Sequence, residues 1–144
     1  MYSFALYISD LKKIPHSSLV LVQAKVILNF NNILENTHSD STDYPGGILN
    51  LPFEHPSLIN SHNWKKAFTT SVFPRLHLFK PDFIFISAGF DAHNLDHIHD
   101  LDASQLSEFD YQWVTLELLK IANTYSKGRV VSVLEGGYNT KAWA

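Results

Sequence analysis

The sequence predicts an α/β domain organised around a parallel sheet. Three observations predict it. Between Asn63 and Asn139 the pattern runs helix, strand, loop, helix, strand, loop, the alternation that parallel sheets produce. The run "DFIFISAG" is short, apolar and bounded by Pro81 and Gly89, as a strand buried on both faces is, and "RVVSVL" reads as a second buried strand. Chemistry-bearing residues gather where each run stops: Asp91 after the first, and Glu135, Gly136, Gly137 and Tyr138 after the second. In open α/β sheets ligands sit beyond the carboxyl ends of the strands. If the two strands are neighbours, Asp91 and Tyr138 face one crevice.

Each element has its own signal. "SLVLVQAKVILNF", from Ser18 to Phe30, alternates at Val20, Val22 and Ala24 like a strand, and a buried helix segment reads the same way. The polar stretch from Asn31 to Gly47 ends in Pro-Gly-Gly and predicts a loop. "ILNLPF" then gives a short extended piece stopped by Pro52. Trp64, Phe68 and Val72 recur at intervals of four, flanked by Ala67 and Ser71, and predict a helix over Asn63–Phe79. Pro74 is expected to break or kink it, because proline lacks an N–H and crowds the preceding turn. A loop is expected from Phe90 to Leu106. The clearest helix follows: Ser107 can cap it, Glu108 and Asp110 suit its first turn, and Tyr111, Val114, Leu118, Ile121 and Ala122 form one apolar stripe. Gly128 is its expected stop.

Composition narrows the function. The chain has 144 residues, 45% of them hydrophobic, which suits one core-bearing domain or part of a larger one. A formal net charge of -3 argues for no nucleic-acid partner and no anionic membrane surface. There is no cysteine, so any metal site must rest on His, Asp and Glu, and a reducing cytoplasm is the expected location. The N-terminus lacks the form of a signal peptide. The apolar run from Leu19 to Phe30 is interrupted by Gln23 and Lys25 and is shorter than the ~20 residues of a membrane helix.

Taken together, "PDFIFISAGFDAH" and "GRVVSVLEGGYN" closely resemble the zinc-dependent histone deacetylase family, nearest to its class II, acetylpolyamine amidohydrolase and bacterial amidohydrolase-like branches. The resemblance covers roughly Tyr44 to Asn139. It divides the chain into residues 1–43, without clear family character, and residues 44–144, a C-terminal part of a deacetylase-like domain. The fold it implies is the three-layer parallel sheet of the arginase/deacetylase type, here incomplete. The chemistry it implies is zinc-dependent hydrolysis of an acetyl-lysine or acetylpolyamine amide. Under the resemblance Asp91 is a zinc ligand and Tyr138 the donor that stabilises the oxyanion. Gly136 and Gly137 let their loop approach substrate closely. Asp96 is a second aspartate in the supporting loop, and Ile98 lies near a position lining the substrate channel. His97 stands where many members carry proline. His93 is read as structural rather than as a ligand.

The family's other two zinc ligands come from an upstream Asp-x-His motif, and its proton transfer from an adjacent histidine pair. The only Asp-x-His here is Asp91–His93, and no two histidines are neighbours. The expectation is therefore an incomplete zinc site and little activity for this chain alone. The alternative is a non-catalytic remnant or binding module on the same fold. An unrelated nucleotide-binding domain is argued against by the missing phosphate loop. The cluster "DHIHD", from Asp96 to Asp100, reads as a solvated loop. An incomplete sheet predicts an exposed edge and self-association.

Overall fold

The computed structural model describes residues 2–10, 18–28, 47–53, 55–96 and 104–143. Five strands make one sheet: β1 (Tyr2–Asp10), β2 (Ser18–Leu28), β3 (Gly47–Phe53), β4 (Phe83–Ala88) and β5 (Val130–Leu134). Their order is β3-β1-β2-β4-β5. The sheet is parallel across β2, β4 and β5, and β1 enters it antiparallel to both β2 and β3. The segment from Ser18 is thus a strand, and the expected parallel arrangement holds for the half of the sheet that carries the candidate residues.

The helical connection before β4 is continuous through the proline. It runs as α1 (Ser61–Ala67), a π-helical turn (Phe68–Val72) and α2 (Phe73–Phe79). Pro74 falls in the first turn of α2, where a missing N–H costs little. The wide turn before it has a packing consequence. Trp64, Phe68, Val72 and Leu76 are all buried. On a regular helix of about 3.6 residues per turn, steps of four drift by about 40° each and would carry the stripe off the core. A π turn, closed by the Phe73 N–H on the Phe68 carbonyl, takes up more residues and holds the stripe in line. Hydroxyls of Thr69 and Thr70 donate to the carbonyls of Lys65 and Lys66, serving acceptors along the altered ladder.

The helix α3 (Glu108–Tyr125) begins with a clasp. Oδ2 of Asp110 accepts from the backbone N and the Oγ of Ser107, both at 3.0 Å. Its Oδ1 accepts from Ser61 Oγ at 2.5 Å and meets Lys65 Nζ at 3.2 Å, so one carboxylate ties the start of α3 to α1. Burial opposes this charge, but the bonds from Ser61, Ser107 and Lys65 outweigh it and hold the carboxyl below its ordinary 3.8. A lowered pKa stabilises the fold above the unfolded value, and that contribution fades as pH falls through the folded one. Asp110→Asn is therefore expected to be less stable than the parent at about pH 7, with the gap closing below about pH 4. Urea midpoints across that range would test it; a pH-independent gap would refute the linkage.

The core lies between one sheet face and these helices. Ile84 and Ile86 of β4 are buried against Phe68, Val114 and Leu118. The sheet and this helical layer are the parts of the expected three-layer arrangement that the described residues supply. One expectation is corrected. "RVVSVL" is not a buried strand: β5 lies at the edge of the sheet, with Val131 41%, Val133 50% and Leu134 52% exposed. Its apolar pattern is that of a covered strand, but among the described residues no strand lies beyond it in the sheet. Among the described residues no helix is long and apolar enough to cross a membrane.

Candidate functional site

The parallel pairing of β4 with β5 sets Ala88 level with Leu134, so the segments that leave the two strands emerge side by side. The ladder continues past the strand ends: Glu135 N donates to the Ala88 carbonyl at 2.8 Å, and Phe90 N to the Gly136 carbonyl at 3.1 Å. A Ser87 hydroxyl donates to Glu135 Oε2 across the same pair. The two loops are thus stitched into one surface at the carboxyl edge of the sheet.

Asp91 sits at that edge with 5% of its surface exposed, and Asp96 with 2%. A buried carboxylate needs strong donors. For Asp91, Oδ1 accepts from Gly137 N at 2.5 Å. For Asp96, Oδ2 accepts from Tyr138 N at 2.7 Å and from Asn139 N at 3.3 Å. Two aspartates from one loop therefore fix three successive amides of the other. The glycines make this possible. Gly136 has φ +124 and Gly137 φ +86. A Cβ on Gly136 would stand 2.7 Å from Asp91 Oδ2, and one on Gly137 2.8 Å from Phe90 Cβ. Asn139 adds a further tie, its Nδ2 donating to the Leu95 carbonyl.

His93 organises the turn between the aspartates. Its Nδ1 accepts from Leu95 N at 3.1 Å, which places the ring proton on Nε2, 3.5 Å from Glu108 Oε2. The ring stacks on Tyr111, with centroids 6.3 Å apart and planes 15° from parallel. Burial pushes the Tyr111 phenol well up, and the charges of Asp91, Asp110 and Asp96 push it the same way, so Tyr111 stays neutral beneath the site. Tyr138 differs from these neighbours: it is 57% exposed, so the loop that the aspartates hold presents its ring outward.

The structure brings Asp91, Asp96, Gly136, Gly137 and Tyr138 together and puts His93 behind them. Ile98, with His97 and the remainder of "DHIHD", lies outside the described residues. The reading of that cluster as solvated fails at its first residue, because Asp96 is buried under the loop it holds. The sequence reading missed the roles of Asn139, Glu108 and Glu135. A signal existed for Glu135: aligning the ends of the two runs sets it one step beyond Ala88 and near Ser87.

The donor set can be tested against a catalytic zinc, which takes three protein ligands as a rule. Asp91 is a suitable oxygen donor. His93 is not placed to join it, since Nδ1 accepts from Leu95 and Nε2 faces Glu108. Asp96 spends Oδ2 on two amides. Among the described residues no group of three or more His, Asp or Glu side chains is placed to hold a metal ion. These residues alone do not fit a zinc centre.

The pinning by Asp96 makes a prediction. Asp96→Ala leaves the Tyr138 and Asn139 amides without their acceptor and is expected to cost about 3 kcal/mol, whereas Asp96→Asn keeps one oxygen and costs about half of that. Denaturant unfolding gives both values. Equal, near-zero costs would show that the carboxylate does not hold the loop.

Comparison with known proteins accords with this geometry. The family model for the histone deacetylase domain matches residues 34–144. Type-2 histone deacetylase 1 of Dictyostelium discoideum is 38% identical over 108 residues, which are 75% of this chain and 7% of that protein. Type-2 histone deacetylase 2 of the same organism is 39% identical over 98 residues, 68% of this chain and 6% of that protein. The crystal structure of the HDA15 HD domain superposes with a TM-score of 0.51 at 32% identity, covering 59% of this chain and 22% of that one. The chain thus spans a small part of each relative's length.

Proposed function

We propose that this chain, which belongs to the histone deacetylase family, keeps the carboxyl-edge half of a deacetylase site and turns over little or no substrate by itself. The parent reaction is the zinc-dependent hydrolysis of an acetyl-lysine or acetylpolyamine amide. Asp91 supplies the metal-side carboxylate of such a site, and Tyr138 supplies a neutral hydroxyl able to donate to a developing oxyanion. Gly136 and Gly137 allow the loop to come close to the acyl group. The observation that carries this reading is the bond from Gly137 N to Asp91, which joins both motifs at the ends of two adjacent parallel strands. The donor set favours a second reading as well, a non-catalytic binding module that recognises the same acetylated ligands.

Zinc titration by calorimetry, with Asp91→Ala as control and an acetyl-lysine peptide assay on the same samples, tests the proposal. The expected result is weak zinc binding indifferent to the substitution, with negligible turnover. Tight one-to-one binding that is lost in Asp91→Ala, together with metal-dependent turnover, would overturn it. Peptide binding without turnover selects the second reading.

A further inference from the structure

The edge formed by β5 carries no charged side chain along Val130–Leu134 and, among the described residues, is open. The opposite edge strand, β3, carries Pro52, which removes a donor and blunts that side against pairing. Among the described residues nothing comparable protects Val130–Leu134. We propose that β5 pairs antiparallel with β5 of a second copy of this chain, about a two-fold axis through Ser132.

The hydrogen-bond phase of β5 selects this register. Ile84 N donates to the Arg129 carbonyl, and Glu135 N donates to the Ala88 carbonyl. Residues 129 and 135, and those in phase with them, turn their backbone groups toward β4. The N–H and C=O groups of Val130, Ser132 and Leu134 therefore point out of the sheet. In an antiparallel pair, residues exchange both bonds only where two outward-facing residues meet. Centring on Ser132 places Ser132 against Ser132 and Val130 against Leu134, so every outward group in the strand is matched.

The charges select the same register. Arg129 and Glu135 are exposed and flank the strand at equal distances from Ser132. Antiparallel pairing puts Arg129 of each copy opposite Glu135 of the other, giving two ion pairs related by the axis. Arg129 is anchored by its Nε on the Asp82 carbonyl, and Glu135 by the Ser87 hydroxyl, so both are partly ordered before they meet. Between them, the exposed Val131 of one copy packs against the exposed Val133 of the other. A shift of the axis by one residue either way loses both ion pairs.

Sedimentation equilibrium of the full chain reads the proposal. The parent is expected to show a monomer–dimer equilibrium. Arg129→Glu and Glu135→Arg should each weaken the dimer at least about tenfold, because each sets like charges opposite one another twice. The double variant restores opposite charges in swapped order and should return to within about threefold of the parent. Val133→Lys, at an exposed position that the monomer does not need, should also weaken the dimer and remains readable if a Glu135 variant unfolds. A parent that stays monomeric, a dimer indifferent to these changes, or a double variant as weak as the singles would overturn the proposal.

Discussion

Replacing Gly137 by alanine is expected to cost the fold about 2–4 kcal/mol, among the largest effects of any single methyl added to this chain. Two terms contribute. The residue sits at φ +86, in the left-handed region, where a side chain adds about 1–2 kcal/mol. The new Cβ would also stand 2.8 Å from Phe90 Cβ and 3.0 Å from the Phe90 backbone, atoms that cannot swing away. Relief would require the loop to lift, which lengthens the bond from Gly137 N to Asp91. Gly136→Ala makes a useful contrast. Its clash is with the Asp91 carboxylate, a side chain that can rotate. That variant is also strained by its backbone, at φ +124, and any turn of Asp91 away from the new Cβ disturbs the bond from Gly137 N, so it should cost about as much and disturb the Asp91 orientation more. Urea unfolding gives the comparison through the midpoint at constant slope. A Gly137→Ala cost below about 0.5 kcal/mol would mean that the loop does not rest on Phe90.

The reason such detail could be foreseen in part lies in where the signals are local. "DFIFISAG" is legible as β4 because proline, glycine and an uninterrupted apolar run define a strand without reference to anything else. The stripe of α3 and the placement of Asp110 are equally local, although the bonds from Asp110 to Ser61 and Lys65 span the helical layer and could not be read. The strand β1 had no such boundary: "YSFALYISD" is ordered by its pairing with β2 and β3, a non-local cause. The misreading of β5 is instructive. Its composition records how apolar the strand is, whereas its exposure depends on what lies beside it. The same holds for Asp96, whose charge suggests solvent and whose burial comes from two backbone amides 42 and 43 residues away. At the candidate site the motifs located Asp91 and Tyr138, but the way their loops are joined, by the Gly137 amide on Asp91 and the Tyr138 amide on Asp96, required the register of the two strands.

The second large effect is expected at the helical layer that supports this edge. Phe68 is buried at the junction of α1 and the π turn, with its ring centroid 4.9 Å from Trp64, 5.5 Å from Phe73 and 6.4 Å from Trp113. It also lines a cavity of about 60 Å³ together with Ile86, Phe90 and Tyr111. Phe68→Ala would join the volume of the lost ring to that existing space, and walls already held by β4 and α3 cannot close over it. The expected cost is about 3–5 kcal/mol, toward the upper end because collapse is limited. Small domains have only about 5–15 kcal/mol of stability, so the variant should be largely or wholly unfolded near the parent's melting temperature. Phe68→Leu, which keeps more of the volume, should fall between the two. Thermal unfolding followed by near-ultraviolet circular dichroism would rank the three, and a Phe68→Ala cost under about 1 kcal/mol would show that the layer does not depend on this ring. The consequence reaches the site, because Phe90 borders the same cavity and carries Gly137 on its backbone. Loosening the layer at Phe68 should therefore free the loop that presents Tyr138 before the sheet itself gives way.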